Sequence, residues 1–178
     1  MSATNLAFIP TTELNALTAE TLGGMNLTAQ QALTPTQMGA LSTTQMAYIS
    51  TTNIGGLTDV QFAALSSTEL GALTTIQVGS LSATSIAALT TTQFANIKAT
   101  QISSLTTTQV SALTTTIIAG FSITQMTGLT TDAIAAFTLT QIPGFETTDL
   151  MVLNSTQVAA FTSQQIAAMT FTQFSAIL

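Results

Sequence analysis

Apolar residues recur along this chain with a period of eight. Written in rows of eight from Met1, the sequence fills 22 rows, with Ile177 and Leu178 opening another, and no insertion or deletion interrupts the frame. Position one is apolar in all 23 occurrences, from Met1 and Ile9 to Met169 and Ile177, and position six is apolar in 21 of 22, with Gln30 the exception. Position two is Ser, Thr or Asn in 19 rows, position four is Thr in 17, and position five is Gln or Glu in 14. Positions seven and eight are mostly Ala, Gly or Ser, as in LTTTQVSA from Leu105 to Ala112. A frame held this long is an internal repeat.

Eight residues of continuous α-helix turn through about 800°, so an apolar stripe would slip by about 80° per row. One long helix and a coiled coil are thereby excluded. The pattern instead predicts one short helix per row. Ser, Thr or Asn at position two with Gln or Glu at position five is a capping box, seen in the pairs Thr74 and Gln77, Thr90 and Gln93, and Thr106 and Gln109. Pro35 follows the cap at Thr34 and falls at the first helical position, where proline is best tolerated. Positions six and nine, such as Val110 and Leu113, then share one face, and the small residues at seven and eight let neighbouring backbones approach.

A helix this short cannot stand alone, so successive rows must stack. The fold expected is an all-α solenoid of 22 repeats, a single continuous unit over residues 1–178 without a linker, with positions one and six lining its core. Abundant Thr, Ile and Val make a β-solenoid the alternative, although adjacent apolar positions eight and one would point to opposite faces of a strand.

Composition narrows the chemistry. The chain has one Lys+Arg, seven Asp+Glu, no His and no Cys, for a net charge of -6, yet it is 46% hydrophobic. Disordered chains combine low hydrophobicity with high charge, so this one is expected to fold. Thiolate and imidazole chemistry are excluded, and Ser and Thr, with Thr alone at 39 positions, have no base beside them. No enzyme, cofactor, metal or small-molecule substrate is expected. A single cation, Lys98, cannot neutralise a run of phosphates, which excludes nucleic-acid binding. No apolar run reaches the length of a membrane span, and the start, MSATNLAFIP, shows no cleaved secretory signal.

Several residues depart from the pattern. Glu13, Glu20, Asp59, Glu69 and Asp132 are scattered singly, while Glu146 and Asp149 share the row FETTDLMV and form the one candidate for a hard cation; first-turn placement on helices is the favoured explanation for all seven. Gln30 signals either a buried polar contact or a slip of register, and the slip is favoured because Leu27 can supply the missing apolar group. Lys98 and Asn96 flank one junction and are read as surface variation or a binding spot. Asn26 and Asn154 open the sequons NLT and NST. Stacked Thr at positions two to four offers a hydroxyl face, read first as caps and a neutral coat and alternatively as an ice- or lattice-binding surface.

The apolar pattern reaches both ends without a polar closing row. Met1, Leu6 and Phe8 at one end, and Phe174, Ile177 and Leu178 at the other, are therefore the candidate self-association residues. Apolar ends that match each other make heterologous contacts, which propagate into open filaments, and low charge removes the repulsion that would oppose them. The expected partner is the chain itself, in an end-to-end fibre or as a fragment of a longer fibrous protein. Rows such as LTTTQV and AAFTSQQIAAM, with no Cys and scarce Lys, resemble the Thr-rich tandem-repeat regions of large bacterial surface and secreted proteins. That resemblance implies an extracellular or cell-surface matrix or adhesive role. A soluble interaction scaffold is the other class of function left open.

Overall fold

A computed structural model describes residues 6–178. From Thr11 onward, twenty α-helices of four to six residues and one 3₁₀ turn, Ile142–Gly144, follow one another, and no strand forms among the described residues. The protein is a helical solenoid, and the β alternative is not adopted.

Most rows fold as their caps dictate. Thr106 accepts the backbone N–H of Gln109 at 3.2 Å through its hydroxyl, and Gln109 accepts the N–H of Thr106 at 2.8 Å through its side-chain oxygen. Pro35 opens its helix directly after the Thr34 cap. The helices do not end on left-handed residues, since no described residue has a positive φ. Position one is extended instead, as at Leu81 (φ -60°, ψ 144°), and so is the cap that follows, as at Ser82 (φ -69°, ψ 152°). Two consecutive extended residues make the corner between one helix and the next.

Helices meet their neighbours three rows apart. Thr43–Tyr48 packs on Ala19–Gly23 on one side and on Ser67–Ala72 on the other, and Thr107–Ala112 packs between Ala83–Ala87 and Thr131–Ala136. Three rows therefore make one turn, and the helices line up in three columns. Positions six and one of successive rows fill one continuous core, where Val110 and Leu113 are buried. Position seven is small because stacked backbones come closest there: a Cβ on Gly71 would lie 2.7 Å from the Asn96 carbonyl oxygen, and one on Gly55 2.6 Å from that of Ser80.

The turns are joined by position five. The Gln109 amide donates to the carbonyls of Val78 at 2.8 Å and Leu81 at 2.7 Å, residues 31 and 28 places earlier. All twelve Gln residues at this position, from Gln37 to Gln173, repeat this geometry onto the turn before them. Each side chain thus caps the start of its own helix with its oxygen and the end of an earlier helix with its nitrogen.

Replacing Gln109 with Ala strips partners from the Thr106 N–H and the Val78 and Leu81 carbonyls in a buried setting. The expected loss is on the order of 2 to 4 kcal/mol, read as a lower midpoint in urea unfolding followed by circular dichroism. Thr108→Ala, on the exposed side of the same helix, is expected to stay within about 0.5 kcal/mol of the parent.

Candidate functional site

The ladder of amides is interrupted at a few inner rows, and two of the interruptions are acidic. Asn53 still reaches across, donating to the Met25 carbonyl at 2.8 Å. Glu69 does not. One of its oxygens accepts the Ser66 N–H at 2.7 Å and hydroxyl at 2.6 Å, and the other has no partner although the residue is only 4% exposed. Asp149 is 5% exposed and also keeps one oxygen without a partner. Burial raises the Asp149 carboxyl above its ordinary value, the neighbouring Glu146 charge raises it further, and the Glu146 backbone N–H offsets part of this. Both residues put an acceptor where the ladder otherwise places a donor.

The remaining acidic residues follow the helix starts. Glu13, Glu20, Asp59 and Asp132 all lie in first turns, where a negative charge meets the positive end of the helix dipole. Glu146 and Asp149 are separated by role: Glu146 occupies an exposed cap position without capping, while Asp149 turns inward. Among the described residues, no three acidic side chains gather into a group able to hold a metal ion.

The expected slip at Gln30 does not occur. Asn26 caps Leu27–Gln31 in the regular frame, and the Gln30 carbonyl receives the Gln61 amide at 2.9 Å as the ladder requires. Leu27 stays half-buried on the outside, against Gly56, and Gln30 itself points inward and donates to the Asn53 carbonyl at 3.0 Å. The buried-contact reading replaces the slip, because a backbone locked into the ladder at both neighbours cannot shift by itself. Asn26 and Asn154 accept N–H groups of Ala29 and Gln157, so both sequons arise from an Asn cap at position two followed by Thr at position four. Lys98 and Asn96 line an open groove of about 690 Å³ together with Thr68, Ser122 and Thr124.

The candidate end residues fall in different settings. Met1 lies outside the described residues. Leu6 is buried, whereas Phe8 is exposed, Ile177 is half-buried, and Phe174 and Leu178 are exposed. At the first end, position one is left half-buried at Ile9, Leu17 and Met25 while position six is covered at Leu14 and Leu22; at the other, position six is half-buried at Val158 and Ile166 and exposed at Phe174, and position one is half-buried at Leu153, Met169 and Ile177.

Fold and surface together define a tandem-repeat helical solenoid. The family model described as the ALTTAQ repeat matches residues 142–177, and six-residue stretches of the same form, such as ALTTTQ from Ala88 to Gln93, recur elsewhere in the chain. No curated protein matches the chain.

Folding holds a proton on Asp149 at pH values where the unfolded chain has lost it, so the associated stability is full below about pH 3.8 and declines as pH rises through the higher folded-state value. Asp149→Asn removes that cost. It is expected to raise the thermal midpoint by a few degrees at neutral pH and to leave it unchanged near pH 3, where both side chains are neutral.

Proposed function

We propose that this solenoid serves as a structural element, without catalytic activity, and that copies join end to end into an extracellular or cell-surface filament. The observation that carries the reading is the partly uncovered apolar core at both ends. One leaves position one half-covered at Ile9, Leu17 and Met25, and the other leaves position six half-covered at Val158 and Ile166 and exposed at Phe174, with position one half-covered at Leu153, Met169 and Ile177. Inside the solenoid both positions are buried in one continuous core. A head-to-tail contact that repeats this packing is heterologous and open.

Such a joint differs from an internal one in a single respect. Position five of the first four rows holds Asn5, Glu13, Thr21 and Ala29, so no Gln amide is there to reach the carbonyls of another copy. The joint rests mainly on apolar burial and is weaker than an internal turn. The extracellular part of the reading is supported by the Thr-rich, Lys-poor, Cys-free composition and its resemblance to the repeat regions of secreted and surface proteins.

Negative-stain microscopy and sedimentation velocity over a concentration series test this. Filaments are expected at high micromolar concentration and are expected to dissociate on dilution. Phe174→Lys, at an exposed end position, is expected to raise the concentration needed for assembly by about tenfold without changing the far-ultraviolet circular dichroism. Dispersed wild-type chains with no axial polymer at any concentration would overturn the proposal.

A further inference from the structure

The three columns of helices are not equivalent on their outer surfaces. One column runs through Leu27–Gln31, Thr51–Gly55, Thr75–Ser80, Ala99–Ile102, Ile123–Met126, Thr147–Leu150 and Phe171–Ala176, each packed on the next. Its first-turn edge carries Ile76, Ile123 and Phe171, which are 73%, 57% and 84% exposed. The first turns of the other two columns expose large apolar side chains only at Val60 and Leu139 among the described residues. Single exposed apolar residues are ordinary, but three at positions three and four of first turns in one column, spaced two turns apart, make this edge more apolar than the other two.

Charge is placed on the same edge. Lys98, the only basic residue of the chain, is exposed one turn to one side of Ile123, and Glu146 is exposed one turn to the other side. Ile76 and Phe171 lie two turns away in each direction. Along the last five helices of the column the order is therefore apolar, positive, apolar, negative, apolar, with Ile123 at the centre of that segment. Reversing the segment maps apolar onto apolar and positive onto negative.

A second observation sets these two charges apart. Both stand at position two, where 19 of the 22 rows place a Ser, Thr or Asn, and neither Lys98 nor Glu146 caps its helix with its side chain. Each gives up a cap bond that its neighbours make.

We propose that this edge is a two-fold interface on which a second copy of the chain lies antiparallel, with the axis along Ile123–Met126. Ile123 packs on Ile123 of the partner subunit, Ile76 on Phe171 of the partner subunit, and Lys98 against Glu146 of the partner subunit, each pair occurring twice where the symmetry allows. With the axis along that helix, first turns face first turns while the order of rows is reversed, as an isologous contact requires. Five helices stacked at 8 to 10 Å make a strip about 40 Å long and about one helix wide. That places the contact at the small end of specific interfaces, so pairing is weak and concentration-dependent. The lateral contact does not depend on the end-to-end joint, because it uses the side of the rod and leaves Val158, Ile166 and Phe174 free.

Sedimentation equilibrium of the full chain bearing Phe174→Lys, which suppresses axial joining, tests the interface directly. A monomer–dimer equilibrium is expected. Lys98→Glu and Glu146→Lys, each added to that background, are expected to weaken the dimer by about tenfold or more, because each sets like charges opposite one another twice. The double exchange of both is expected to recover affinity to within about threefold, a rescue that general damage to folding does not produce. Ile123→Lys is expected to abolish pairing with the circular dichroism unchanged. Absence of dimer in the Phe174→Lys background, charge reversals without effect, or a double exchange that fails to recover would overturn the interface. Filaments without lateral pairs would count against this contact alone, and lateral pairs without filaments would count against the end-to-end joint alone.

Discussion

Helices of four to six residues leave nearly all their backbone donors and acceptors without a partner inside the helix. Everything else in this solenoid follows from how those groups are satisfied. The Thr, Ser or Asn at position two takes an N–H near the helix start, and the Gln at position five takes another with its oxygen. The Gln nitrogen then reaches the carbonyls that the extended corner leaves open one turn away, as Gln109 does at Val78 and Leu81. One side chain therefore serves two helices separated by about 30 residues in sequence. Stability is shared between turns, and no row could hold its helix without the rows stacked against it.

This arrangement also explains which parts of the fold were legible in the sequence. The capping box, the short helix and the apolar lining all follow from residue types at fixed offsets, and Pro35 marks the first helical position by itself. The number of rows per turn does not. It depends on the angle made by two consecutive extended residues, and an eight-residue period is compatible with many such angles. The joining role of position five had a signal that the capping box alone does not account for. A cap at a helix start is served at least as well by Glu as by Gln, because a negative charge favours the dipole, yet the position is Gln twelve times and Glu twice. Preference for the amide means that the group has to donate as well as accept. Gln30 failed as a marker of slippage for a related reason: with the Gln61 amide on its carbonyl, the row is pinned in register whatever its own side chain does.

The candidate surfaces were legible to a different degree. Glu146 and Asp149 are three residues apart and look like one acidic pair in the sequence, but positions two and five face different worlds. Position two lies on the corner, in contact with solvent, and position five lies between turns, against carbonyl oxygens. The same chemical group is therefore exposed to solvent at one and a desolvated carboxyl with an unpartnered oxygen at the other. Likewise Ile76, Lys98 and Ile123 are far apart in sequence and share nothing in the pattern of rows. They become neighbours only once three rows are known to make a turn.

Scarce charge can now be given a cause for each part of the molecule. The core excludes it, and the space between turns disfavours it because inner rows aim carbonyl oxygens at position five; a carboxyl there is left with an unpartnered oxygen, as at Glu69 and Asp149, and a Lys has no oxygen with which to cap its own helix. The corners do not need it, since hydroxyls and carboxamides satisfy the helix starts. What remains is the outer surface of the first turns, and there a charge is not forced by the fold. Asp59 and Asp132 still gain from the helix dipole. Lys98 gains nothing of the kind, for a cation at a helix start opposes the dipole, and it displaces a cap as well. In a chain whose architecture runs on neutral polar groups, Lys98 works against its own helix, and the two-fold contact proposed for the edge on which it stands supplies a reason for it.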